Sequence, residues 1–193
     1  MSYRNILPYC QLKSLIRLAI QLKRVDICEL LLSHYVDVDS CNENEMDLLS
    51  LALQLECSEI VRILIKTGAN VNKRGRFGYF PIHQAIHANL LEISKLLIEA
   101  GANVNVQDED GFTPLHYAII ERNYAFIRLL LQAGAKVDVQ SKFNDSPKRY
   151  GDTPLSLAVE VNADKNIVRL FHVLPIILLM LSITENCKSF SYH

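Results

Sequence analysis

Apolar residues recur along this chain in short stripes at helical spacing. Between residues 111 and 140, Leu115, Ala118 and Ile119 stand at i, i+3 and i+4, as do Ile127, Leu130 and Leu131. Each segment therefore has one apolar face. Polar residues punctuate the two stripes. Thr113 suits an N-cap, Pro114 the first helical position, where its missing N–H costs nothing, and Gly134 a left-handed position after the second helix. Asn123 falls where the chain must turn, which predicts an antiparallel helical hairpin with Ala118 permitting close approach. One hairpin cannot cover its own apolar faces, so neighbours have to stack on it.

The neighbours are written in the same sequence. Ala19, Ala52, Ala85 and Ala118 follow one another at intervals of 33 residues, and Ala158 comes 40 after the last. Twelve residues beyond each alanine stands a leucine: Leu31, Leu64, Leu97, Leu130 and Leu170. Gly68, Gly101 and Gly134 lie sixteen beyond and open the phrases "GANVN", "GANVN" and "GAKVD", with "YVDVD" (35–39) as a weaker first copy. Five related units fill most of the chain.

The phrases "TPLHYA" (113–118), "FPIHQA" (80–85) and "DTPLSLA" (152–158), together with the GANVN phrases, resemble ankyrin repeats. The resemblance runs over residues 12–171, and it implies an all-α ankyrin-type solenoid of about five stacked helix-turn-helix repeats with projecting β-hairpin-like loops. The organisation expected is an N-terminal segment (1–11), repeats at about 12–41, 42–74, 75–107, 108–140 and 148–171, an insertion at 141–147 and a divergent tail (172–193). The first repeat has "LKSLIRLA" where the capping motif belongs, leaving Ser14 as its remnant, and the second has "MDLLSLA", with Asp47 able to cap but no proline. The insertion lies within "SKFNDSPKRYGD", rich in turn formers and charge, as insertions between repeats usually are.

Composition narrows the function. With 20 Lys and Arg against 21 Asp and Glu in 193 residues, the net charge of −1 provides no basic field for a polyphosphate, so nucleic acid is not expected. The five cysteines are odd in number and widely spaced, without a C-x-x-C pair. Neither a zinc site nor a disulfide framework is signalled, and the expected setting is reducing and intracellular, cytoplasmic or nuclear. Arg4, Lys13 and Arg17 interrupt any apolar signal segment at the start.

Thr113, His116 and Asp138 offer a hydroxyl, a base and an acid, the ingredients of a triad. Their spacing at a helix start suits capping and local hydrogen bonding instead, and the resemblance gives Thr113, His116 and His83 a structural role. His83 and His87 in "HQAIH" stand at i and i+4, but Gln84 occupies the slot where metal hydrolysis needs a glutamate base, and no third ligand is evident. No catalytic residue, metal, cofactor or small-molecule substrate is expected.

What the resemblance implies is recognition of a protein through finger loops and the inner helices, without catalysis. The positions carried over are Glu43, Asn44, Met46 and Gln54 in the second repeat, then Arg76, Phe77, Tyr79 and His87 in the third. The fourth contributes Glu109, Asp110, Phe112, Ile120 and Glu121, and the fifth Arg149, Tyr150, Asp152 and Glu160. Phe77, Tyr79, Phe112 and Tyr150 would be rigid apolar anchors, unless they pack against neighbouring fingers. Lys73, Arg74, Arg76, Lys148 and Arg149 would steer an acidic partner. An inhibitor or decoy acting as a monomer is the leading expectation, and a scaffold using the tail as a second contact or membrane-surface site is the alternative. The uncharged run from Val173 to Leu181 is well short of the ~20 residues that span a bilayer. It either folds over the open end of the stack, docks on a partner or membrane surface, or leaves apolar surface exposed.

Overall fold

The computed structural model describes residues 9–33, 37–39, 46–75, 78–142 and 151–160. Among them the regular elements are helical, with no strand. The chain divides into two compact units, Met1–Ala102 and Asn103–His193.

The first unit holds α1 (Tyr9–Gln21), α2 (Val25–Leu32), α3 (Leu48–Gln54), α4 (Ser58–Lys66), α5 (Pro81–His87) and α6 (Leu91–Glu99). Successive helices pair as hairpins, α3 packs on both α1 and α5, and α4 packs on both α2 and α6. The repeated alanines set this register: Ala19, Ala52 and Ala85 are all buried, so the inner helices approach closely. Beside each alanine an i, i+4 pair faces the core, Ile16 with Ile20, Leu49 with Leu53 and Ile82 with Ile86, all 2 % exposed or less. Each such side chain contributes about 1.5–3 kcal/mol by leaving water. Leu64 and Leu97 are fully buried as their spacing predicts; Leu31 is half-buried, and Leu32 beside it takes the core position.

The second unit contains α7 (Pro114–Ile120), α8 (Tyr124–Gln132) and α9 (Pro154–Glu160), with α7 packed on both of the others. Its core is Leu115, Ala118, Ile119, Phe126, Ile127, Leu130, Leu157 and Ala158. Leu170 and the tail 172–193 lie outside the described residues.

Asn123 lies in the turn between α7 and α8, as expected, but it is not itself the left-handed residue. The backbone passes through the left-handed region one position earlier, at Lys23, Glu56, Asn89 and Arg122, with φ of 53, 55, 55 and 52°. The turn is set by hydrogen bonds: Arg122 N–H donates to Ile119 C=O and Asn123 N–H to Ala118 C=O, both at 2.9 Å, which satisfies carbonyls that the helix end would otherwise orphan. Asn123 caps α8 instead, its side-chain oxygen accepting from Phe126 N–H at 3.4 Å. Gly134 plays its expected part at φ 84°, and a Cβ there would meet only open space, so the dihedral alone demands glycine.

Among the described residues the fingers close through single backbone bonds and hold no strand. Gly75 N–H donates to Tyr79 C=O at 2.8 Å in the first unit. In the second, Asp108 N–H donates to Phe112 C=O at 3.1 Å. The same register recurs at Ser141, whose N–H reaches Asp152 C=O at 3.0 Å across a longer span. The shorter spans leave too few residues on either side of the tip for a ladder, which is why the expected hairpin character is reduced to a closing bond.

Candidate functional site

In the first unit, the starts of α3 and α5 are fixed by short-range chemistry. Asp47 accepts from Ser50 N–H at 2.8 Å and from the Ser50 hydroxyl at 2.9 Å, which caps α3 as its sequence predicts. At α5, Phe80 stands where a capping hydroxyl would be and Pro81 takes the first turn. His83 ties the helix start together without that hydroxyl: its Nδ1 accepts the Phe80 N–H at 3.2 Å and its own backbone N–H donates to Phe80 C=O at 2.9 Å. Gln84 Nε2 donates to Ser50 Oγ at 3.2 Å and so ties α5 to α3.

These ties hold open a groove of about 510 Å³ lined by Met46, Ser50, Leu53, Gln54, Tyr79, Gln84, His87 and Ala88. Tyr79 stands edge-on to His87 with ring centroids 5.3 Å apart. Arg17 Nη2 donates to the Met46 carbonyl and steadies the rim. The walls mix apolar surface with neutral donors and acceptors, the chemistry of a surface that anchors a side chain and orients it by hydrogen bonds. Four residues expected from the sequence, Met46, Gln54, Tyr79 and His87, meet here. Ser50, Leu53, Gln84 and Ala88 were not foreseen. They stand within three positions of Ala52 or Ala85, but that they line a groove depends on how two hairpins meet.

Other expected residues lie in the second unit. Asp108, 4 % exposed, organises its finger by accepting from Asp110 N–H at 3.0 Å, Phe112 N–H at 2.8 Å and the Tyr117 hydroxyl. Glu109, Asp110, Ile120 and Glu121 are exposed, while Phe112 is half-buried, with its ring edge-on to His116 at 5.3 Å. Asp152 is only 8 % exposed, and its carbonyl is occupied by the finger-closing bond. Glu43, Asn44, Arg76, Phe77, Arg149 and Tyr150 lie outside the described residues, as does the side chain of Glu160.

The hydroxyl, base and acid near residue 113 do not assemble. His116 is fully buried, and its Nδ1 receives the Thr113 N–H at 2.9 Å and the Thr113 hydroxyl at 2.8 Å. With Nδ1 accepting, the proton sits on Nε2, which donates to the Asp152 carbonyl at 3.0 Å. Burial pushes the imidazole below its ordinary value of 6.5, against the opposing pull of that bond and of the carboxylates of Asp108 and Asp152. Asp138 is exposed and takes no part. His83 is buried and His87 exposed, and among the described residues no three His, Cys, Asp or Glu side chains group as metal ligands. No described helix is long and apolar enough to cross a membrane.

Residues 49–141 match the family model described as ankyrin repeats, in three copies. These residues are ankyrin repeats. No curated protein matches the chain. The matched ankyrin segment runs from the second residue of α3 past the end of α8 and so takes in nearly all of both inner helices of the groove. Ankyrin repeats are generally protein–protein interaction modules, typically without enzymatic activity. The capping of α7 by Thr113 and His116 serves that architecture.

Proposed function

We propose that this chain is a non-enzymatic recognition module that seats a partner protein in the groove between α3 and α5, and that it acts as an inhibitor or decoy by masking what it binds. The observation that carries this reading is the convergence of Met46, Gln54, Tyr79 and His87 on one groove, all but Met46 inside the ankyrin segment. Tyr79 and Met46 supply apolar anchoring, while Gln54, Gln84 and His87 supply orientation, the division of labour found at interface centres. We place the α1–α2 hairpin and α9 in the same repeat series, because Ala19 and Ala158 keep the buried register at either end.

The test is affinity capture with mass spectrometry, using wild type and a groove variant, Gln54→Glu with Tyr79→Ser and His87→Glu. A control variant carries Glu59→Lys and Lys95→Glu on α4 and α6. Circular dichroism establishes that both fold. A partner held by wild type and the control but lost by the groove variant supports the reading; equal capture by all three removes the groove from it.

A further inference from the structure

α9 is held to α7 by a bond whose donor is a titratable ring. We propose that His116 is an acid-sensitive latch: protonation of its imidazole loosens α9 from α7 while the α7–α8 hairpin stays folded. The geometry carries the argument. Nδ1 already faces two donors, the Thr113 N–H at 2.9 Å and the Thr113 hydroxyl at 2.8 Å. A proton on Nδ1 can be met by rotating the hydroxyl into an acceptor, but the backbone N–H cannot rotate and is left orphaned in a buried place. The ring is fully buried, so the imidazolium would also have to sit out of water.

The groups around the ring do not offer an ion pair that would rescue the charge. From the finger before α7 comes Asp108, already accepting from two backbone N–H groups and the Tyr117 hydroxyl. From the head of α9 comes Asp152, which meets the ring through its carbonyl. α8 turns Phe126, Ile127, Leu130 and Leu131 inward, none of them titratable. Burial outweighs the two carboxylates and keeps the ring neutral in the folded unit, with its pKa lowered. The least costly way to hydrate a protonated ring is to lift its cover, and that cover includes the Asp152 carbonyl and the start of α9.

The cap of α9 uses no titratable side chain. Thr153 and Ser156 cap it reciprocally, with Thr153 N–H donating to Ser156 Oγ at 2.9 Å and Ser156 N–H to Thr153 Oγ1 at 3.0 Å. Ser141 N–H to Asp152 C=O and Leu155 N–H to Val137 C=O complete the attachment, and neither bond contains a titratable group. His116 Nε2–H donates to Asp152 C=O in either protonation state, so it is the buried charge and the orphaned Thr113 N–H, rather than loss of this bond, that loosen the attachment.

The sign follows from linkage. A depressed folded pKa gives stability that is fully present above 6.5, the unfolded value, and declines as pH falls below it. Between pH 7.5 and 5.0 one such ring shifts the opening equilibrium by up to about thirtyfold.

Hydrogen exchange of the full chain at both pH values, expressed as protection relative to the intrinsic rate, tests this. Wild type is expected to lose protection at 154–160, by up to about thirtyfold, at pH 5.0 while 124–132 keeps its own, and His116→Gln is expected to show no such loss. Protection unchanged in wild type, a loss equal in His116→Gln, or a loss shared by 124–132 overturns the latch. Should His116→Gln fail to fold, an NMR titration of the wild-type ring decides: ionisation below pH 6.5 together with loss of protection at 154–160 supports it, and ionisation without that loss overturns it.

Discussion

Asn105 reaches forward to the next hairpin's exit loop through Gly134 and its neighbour: its amide Nδ2 donates to Gly134 C=O at 3.3 Å while its Oδ1 accepts from Lys136 N–H at 2.7 Å. The first unit repeats the device one period earlier, where Asn72 Nδ2 donates to Gly101 C=O at 2.9 Å. Both asparagines end a GANVN phrase, so the phrase is a staple between successive loops as well as a helix stop. Asn105→Ala removes a donor and an acceptor together and is expected to cost about 1–2 kcal/mol in denaturant unfolding. Asn105→Asp keeps the acceptor and should cost less.

Ser94 stands in the core of α6 with its hydroxyl fully buried and without a hydrogen-bond partner among the described residues. One repeat away in register on either side, Val61 and Ile127 fill the position with apolar side chains. Burying an unmet hydroxyl costs about 1–3 kcal/mol. Ser94→Ala is therefore expected to raise the unfolding midpoint, by about 1 kcal/mol once the lost atom's packing is counted. An unchanged or lowered midpoint would count against the burial of that hydroxyl.

Arg122 occupies the left-handed region at φ 52° and is exposed. A side chain there costs roughly 1–2 kcal/mol, part of which glycine returns to the unfolded chain as entropy. Arg122→Gly is expected to stabilise by up to about 1 kcal/mol in thermal unfolding. Gly134→Ala, which forces a side chain into φ 84°, should do the reverse by a similar amount.

Much of the fold was legible because the 33-residue period constrains every repeat at once: Ala52, Ala85 and Ala118 predicted the buried register and Gly134 the helix stop. The turn between paired helices was legible at Asn123, but the left-handed residue one position earlier was not, because Lys23, Glu56 and Arg122 are not turn formers. Backbone hydrogen bonds at the helix end set the geometry there, and only Asn89 signals it. The groove was half legible. Tyr79 and His87 could be located from the repeat, but Ser50 and Gln84 join it through a bond between two hairpins, and a single repeat's pattern carries no information about that. Asp152 was expected as a contact, and the finger-closing bond that buries it depends on where the longer loop returns.

Cys28 is fully buried on α2, and burial pushes its thiol up to about 11, with further contributions from Cys57 and Asp26. Cys57 is partly exposed. A maleimide is expected to label Cys57 in the native protein and Cys28 only on unfolding. Because the folded pKa of Cys28 lies above its ordinary 9.0, its contribution to stability is complete below pH 9 and declines as pH rises toward 11. Cys28→Ala should flatten that alkaline decline, as read by unfolding at pH 7.5 and pH 10.

The central claim, that a partner sits in the groove between α3 and α5, is tested most directly by site-specific photo-cross-linking. A photoreactive side chain is placed in turn at Gln54, His87, Arg62 and Lys95, the last two on the outer helices α4 and α6. The account predicts one partner band from positions 54 and 87 and none from 62 and 95. Cross-links from 62 and 95 with none from 54 and 87 would contradict it and move the binding surface to the outer helices.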